Sequence, residues 1–163
     1  MKGENMALKN SEKEKTAPAE AGLRGLYRKT FGAEPEVFEA LKADGSARQL
    51  YRLRGGGRSV IGVFGPDKLE NQAFLEFSAH FRREKLPVPE IYAADQAQNI
   101  YMEEDLGDTT LFGYLTAERA GAALPPPQAI AAYRKVLETL PRFQAQVARG
   151  LDLKYCYPRA SFD

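Results

Sequence analysis

The sequence is poor in the residues that most often carry redox, metal and nucleophilic chemistry. Its one cysteine, Cys156, allows no internal disulfide and no thiolate metal cluster. Its one histidine, His80, excludes a multi-histidine zinc site. A Ser-His-Asp arrangement survives only if His80 is the base. Tryptophan is absent. No stretch reaches the roughly 18 consecutive apolar residues that read as a membrane-spanning helix. The N-terminus lacks the apolar core of a secretory signal, so the expected compartment is the cytoplasm. An excess of either charge is missing too: 23 Lys+Arg face 22 Asp+Glu, for a formal charge of +1. A general nucleic-acid binder needs a basic face to displace counterions, and this balance argues against one.

What is present suffices for a core. The chain has 163 residues, 44% of them hydrophobic, and a chain of this length buries roughly 70% of its unfolded surface. Residues 1–21 carry four Lys and four Glu with few large apolar groups. That composition predicts a disordered, solvated lead-in. Leu23, Leu26, Tyr27 and Phe31 recur at helical spacing before Gly32, predicting a short helix over Gly22–Phe31. Three strand-like segments follow, Val37–Lys42, Arg48–Arg54 and Ser59–Phe64, joined by Asp44-Gly45-Ser46 and Gly55-Gly56-Gly57 turns. Residues 68–85 switch to helical period, with Leu69, Ala73, Phe74, Phe77 and Phe81 on one face. Pro87 and Pro89 end that helix. Ile91–Ala94 and Ile100–Glu103 read as two further strands around an Asp95–Asn99 turn. Two helices close the chain near Thr109–Ala120 and Gln128–Arg149, separated by Pro125-Pro126-Pro127. The expected class is therefore α+β: an antiparallel sheet with one packed helix, then a helical region.

Few side chains stand out as chemical. Glu70 falls near the middle of the 68–85 apolar arc, where a carboxylate is costly unless a cation or donor meets it. It either caps the helix and stays wet or points into a polar site beside the sheet. His80, on the flank of the same face, reads as a half-buried structural histidine rather than a catalytic one. The backbone of the Asp44-Gly45-Ser46 turn either merely connects strands or cradles phosphate oxygens, with Arg48 adding charge. Gly55-Gly56-Gly57-Arg58 fits no Walker spacing and reads as a hairpin tip. Between Asp95 and Asp108 lie five acids and no Lys or Arg. This stretch either caps the next helix or lines a site for a cationic or hydroxylated substrate.

Taken together, DGSARQLYRLR, ENQAFLEF, LPVPEIYAAD and YMEEDLGDTTLFGYL resemble the N-terminal lobe of the aminoglycoside-phosphotransferase and choline-kinase-like family. They look closest to its bacterial branch of N-acetylmuramate/N-acetylglucosamine kinases, over about residues 22–163. The resemblance implies a protein-kinase-like N-lobe at 22–102, a five-stranded antiparallel sheet with one packed helix. A hinge at 103–108 and the first helices of a C-lobe at 109–163 would follow. It implies ATP and Mg²⁺ as cofactors and a small hydroxylated acceptor such as a sugar, with no nucleic-acid or membrane partner. Asp44, Gly45, Ser46, Ala47 and Arg48 would form the loop over the phosphates. Glu103, Glu104, Asp105 and Leu106 would form the hinge, whose backbone meets the adenine edge. Glu70 would be the helix glutamate that orients a phosphate-binding cation.

Two departures qualify the likeness. The phosphate-binding lysine of the family aligns with Gly62, leaving Arg48, Arg52 or Lys68 as substitutes. The catalytic loop has no counterpart: Arg142, Arg149 and Arg159 are not followed by Asp, and Asp152 and Asp163 lack the context of a catalytic or magnesium-binding Asp. Phosphoryl transfer rests on positioning and metal-borne charge neutralisation, so the chain is expected to be inactive alone. It would be a fragment of a kinase, or else a non-catalytic nucleotide-sensing or protein-interaction module. The stripe Ile130, Tyr133, Val136, Leu137, Leu140 and Phe143 is expected to be partly exposed, favouring self-association or a missing C-terminal lobe as partner.

Overall fold

In the computed structural model, which describes residues 4–42, 46–119, 126–147 and 149–156, the alternating segments between Val37 and Glu104 form one five-stranded sheet. Its strands are β1 (Val37–Ala40), β2 (Gln49–Gly55), β3 (Arg58–Phe64), β4 (Ile91–Asp95) and β5 (Ile100–Glu104). They lie in the order β1-β2-β3-β5-β4, and every neighbouring pair is antiparallel. The β2–β3 hairpin turns on Gly56 and Gly57, at φ 57° and 75°. Two consecutive left-handed residues suit glycine and match the twist of the flanking strands.

Side-chain alternation divides the sheet into two buried faces. Tyr51, Leu53, Val60, Ile100 and Met102 join Ala19, Leu23 and Tyr27 of helix α1 in one core cluster. Ile61, Val63 and Tyr101 form the other, against Leu50, Ile91, and Phe74 and Leu75 of helix α2. The sheet is thus covered on both sides, and β3 is apolar throughout its interior for that reason.

Helix α1 spans Glu4–Phe31 rather than Gly22–Phe31. The lead-in expected over 1–21 is helical from Glu4 onward. Its Ala, Lys, Glu and Met residues are strong helix formers, and Ala19 is buried one turn before Leu23. Arg24 adds an ion pair one turn back to Glu20 at 2.8 Å. The Tyr27 hydroxyl donates to Gly55 O at 2.7 Å, tying the helix to the hairpin tip.

Helix α2 spans Lys68–Arg83, and its N-cap is Asp67, whose carboxylate accepts from the Leu69 and Glu70 amides. Its packing face keeps Ala73 and Phe74 of the expected arc but not Leu69. Asn71 and Ser78 are buried, with Phe74 and Leu75 packed on the sheet cluster between them, whereas Leu69 is 62% exposed. Polar Asn71 is inside because its Nδ2 donates to Gly65 O at 2.7 Å. Phe81 turns instead toward Phe143, edge to face at 5.3 Å.

Helix α3 spans Leu111–Arg119 and helix α4 spans Pro127–Pro141. The single helix expected over Gln128–Arg149 stops at Pro141, and a π-helical turn, Arg142–Gln146, follows. A proline in the last turn removes one amide donor and crowds the carbonyl a turn earlier, which disrupts the regular ladder there. A 3-10 turn follows at Leu153–Tyr155. His80 Nε2–H donates to Val147 O at 2.9 Å, so the buried imidazole is a clip between α2 and the chain beyond α4.

Candidate functional site

On the α2 face of the sheet, two arginines flank Leu50 at two residues' distance: Arg48 just before β2 and Arg52 within it. They meet different surroundings.

Arg52 is sealed. Its guanidinium makes two paired sets of hydrogen bonds. Nε and Nη2 donate to Asp105 at 2.8 and 3.1 Å, and Nη1 and Nη2 donate to Asp108 at 3.1 and 2.8 Å. The Ser59 hydroxyl also donates to Asp105. Burial opposes the charge on Asp105, but bonds from Arg52, Ser59 and the Gly107 amide hold its carboxyl below the usual range. Asp108 is likewise lowered, by its hydrogen bonds to Arg52. The side chain of Asp105 is 8% exposed and that of Asp108 81%. The segment leaving β5 is thereby riveted to the middle of the sheet, and the rivet has an inner and an outer half.

Arg48 is open. It immediately precedes β2, after the Ser46 turn, and its amide donates to Ser46 Oγ at 3.2 Å. Its guanidinium lies over the Phe74 ring at 4.8 Å and meets Glu70 at 3.1 Å and the Tyr101 hydroxyl at 3.4 Å. Phe74 and Tyr101 stack on each other at 5.3 Å, giving the group a rigid aromatic backing. Because Asp67 caps the helix, Glu70 is released from that duty and reaches the sheet. It lies at the margin of the α2 interface, its side chain 40% exposed, not at the centre of an apolar face.

Glu103 shares this face, paired with Ile61 in register. Burial pushes its carboxyl up to about 7, with Arg48 pulling the other way. Burial, reinforced by Glu103, raises the Tyr101 phenol. Among the described residues, neither Arg48 Nε nor Glu103 Oε2 has a hydrogen-bond partner, although both are shielded from water. An unsatisfied buried donor and an unsatisfied buried acceptor in one cluster are costly, about 1–3 kcal/mol each.

Of the loop residues named from the sequence, Asp44 and Gly45 lie outside the described residues, whereas Ser46 and Ala47 are exposed and lead into Arg48. Glu103 and Glu104 belong to strand β5, and Asp105 and Leu106 follow it, Leu106 exposed. The Glu104 carboxylate accepts from the amide of Glu90, the residue before β4, at 3.2 Å. The Gly55-Gly56-Gly57-Arg58 tip is tied to α1 by Tyr27, with Arg58 over the Phe31 ring at 5.3 Å. Gly62 lies on the opposite face from Glu70. A Cβ there would meet Leu53 at 2.8 Å and Leu23 at 3.0 Å, both in the α1 core. The residues of β3 that face α2 are Ile61 and Val63.

The sequence had singled out Glu70, Arg48, Arg52 and Lys68; the fold joins Arg48 to Glu70 and diverts Arg52 to Asp105 and Asp108. Lys68 lines an outer cleft with Gln72, Gln96 and Asn99. Glu103 was placed by the sequence in the acidic stretch and, by resemblance, in the hinge, with no role for its side chain on this face. Its period-2 offset from Tyr101 was the available sign that it faces inward. No protein-family model and no curated protein sequence matches the chain.

Proposed function

We propose that the chain is the nucleotide-binding part of an ATP-dependent small-molecule phosphotransferase. Its acceptor would be a hydroxylated compound such as a sugar or amino sugar, and the catalytic loop is absent. The observation that carries this reading is Glu70 on the packed helix turned toward the Arg48 guanidinium just before β2, on the sheet face beside the Ser46–Arg48 turn. In this reading the five strands with α2 form a kinase-like N-lobe, 103–108 the hinge, and α3 and α4 the start of a helical lobe. Phosphate groups of ATP would lie under the 44–48 loop, and the base would approach the backbone of residues 103–106. Mg²⁺ would come with the nucleotide and neutralise phosphate charge. Among the described residues no three His, Cys, Asp or Glu side chains converge on a metal position, so no ligand to it is assigned.

The test is thermal unfolding of the chain with ATP and Mg²⁺, against adenosine and against Mg²⁺ alone. A ligand that binds only the folded state stabilises it by about 2.7 kcal/mol at a hundredfold excess over its Kd. A saturable rise in Tm with ATP is the expected result; no rise at any concentration would refute the reading. A second reading, a non-catalytic interaction module, is favoured by the exposed stripe Ile130, Tyr133, Val136, Leu137 and Leu140 on α4.

A further inference from the structure

We infer that Arg48, immediately before β2, is the cation that meets the nucleotide phosphates in this chain, with Glu70 as its positioning residue. The inference rests on the nucleotide-binding reading above and assigns the role that a β3 lysine cannot fill here. Strand β3 offers Ile61 and Val63 to the α2 face, both apolar, and Gly62 points into the α1 core. Of the remaining cations, Arg52 is committed to Asp105 and Asp108 through both edges of its guanidinium. Withdrawing it would leave the buried Asp105 without its counter-ion. Lys68 is exposed on the first turn of α2, beside Leu69 and Gln72 rather than Glu70's partner surface.

Arg48 meets every requirement of the role. It follows the loop within two residues of Ser46. One carboxylate and one phenol account for only part of its donors. Its side chain is 19% exposed, so the guanidinium is backed by Phe74 yet reachable. A guanidinium presents a planar fork that suits two phosphate oxygens at once, where an ammonium acts as a point charge. Glu70 takes one corner of that fork and fixes its plane. Glu103, the other acid facing it, has its carboxyl pushed up to about 7 by burial, so at neutral pH it is about half protonated and offsets only part of the charge offered to an anion.

The experiment measures binding of ATP with Mg²⁺, pyrophosphate and adenosine to the whole chain and to Arg48→Ala, Arg48→Lys and Glu70→Gln. Circular dichroism and Tm confirm that each variant folds; if Arg48→Ala does not, Arg48→Lys carries the comparison. Arg48→Ala is expected to weaken ATP and pyrophosphate about tenfold to a hundredfold, the scale of a lost charge-assisted contact, and to leave adenosine unchanged. Arg48→Lys should recover part of the loss. Glu70→Gln should weaken pyrophosphate but not adenosine, a split that a merely structural role would not produce. In the wild type, the Arg48 Nε–H resonance should shift on adding pyrophosphate. If the wild type binds ATP and Arg48→Ala binds it equally well, this inference is overturned while the nucleotide-binding reading stands. If the wild type binds adenosine but neither ATP nor pyrophosphate more tightly, the phosphate role falls. If it binds none of them, the reading beneath it falls as well.

Discussion

Glu103 makes the fold's stability depend on pH in a window where most carboxylates are silent. Its carboxyl is pushed from the usual 4.5 up to about 7, first by burial and against the pull of Arg48. A raised folded-state value means that, between those two pH values, the folded chain holds a proton that the unfolded chain has released. Stability is therefore full below about 4.5, falls as pH rises toward 7, and levels off above it. At about 1.4 kcal/mol per pH unit, the gap caps the loss at about 3 kcal/mol. Glu103→Gln keeps the shape and removes the titration. Urea unfolding of both proteins from pH 4 to pH 8 should show the variant gaining on the wild type across that window, by up to about 3 kcal/mol. Asp105 and Asp108 are shifted the other way, so their contributions fade only at lower pH and do not mimic the effect. A wild-type-to-variant difference that stays constant from pH 4.5 to 7.5 would refute the reasoning, as would a carboxyl carbon resonance of Glu103 that titrates with an ordinary midpoint.

The other predictions concern packing, the Arg52 rivet and the outer face. Leu23→Ala should cost about 2–5 kcal/mol in urea unfolding, since Leu23 is fully buried between α1 and the sheet. A loss below about 1 kcal/mol would mean that α1 does not belong to the core. Gly62→Ala should cost about 1–3 kcal/mol, because Leu53 and Leu23 stand within 3.0 Å of the new methyl. No measurable loss would place that face of β3 in open space. Arg52→Lys should speed amide exchange over residues 105–110, and Asp105→Asn should do so more than Asp108→Asn, because Asp105 is the inner half of the pair. Equal effects would contradict that ranking. Sedimentation at rising concentration should reveal association of the wild type that Leu137→Glu weakens, since Leu137 is 68% exposed among other apolar residues of α4. A wild type that stays monomeric throughout would refute it.

The strands and α2 were legible because their periods differ sharply and glycine or proline marks their ends. Each observed strand overlaps its expected segment, with Gln49–Gly55 against Arg48–Arg54 as the typical offset. The facing of β3 was not legible. Val60-Ile61-Gly62-Val63 is apolar at every position because both faces are covered, so alternation carries no signal there. Gly62 could thus be aligned with a lysine that it cannot replace. The face of α2 was legible in part. Of the expected arc, Ala73 is buried and Phe74 packs on the sheet, but Asn71 and Ser78 are polar and buried while Leu69 is exposed, which a hydrophobic arc does not register. The choice among Arg48, Arg52 and Lys68 needed three dimensions, because the acids that claim Arg52 come from more than fifty positions away in sequence.

Arg48, just before β2, and Arg52, within it, share a face, yet local chemistry divides their work. An arginine held by two carboxylates contributes no net positive charge and resists displacement, which suits a rivet between the sheet and the segment after β5. An arginine with one half-exposed carboxylate, a phenol and an aromatic backing keeps both charge and donors available. Four residues of extended chain separate the two by about 13 Å. On the nucleotide-binding reading, that distance sets the hinge at one end of the site and the phosphate-facing charge at the other. Exchanging the roles would fail at both ends. Asp105 is already held by Arg52 and Ser59, and Glu70 is set free for Arg48 because Asp67 caps the helix.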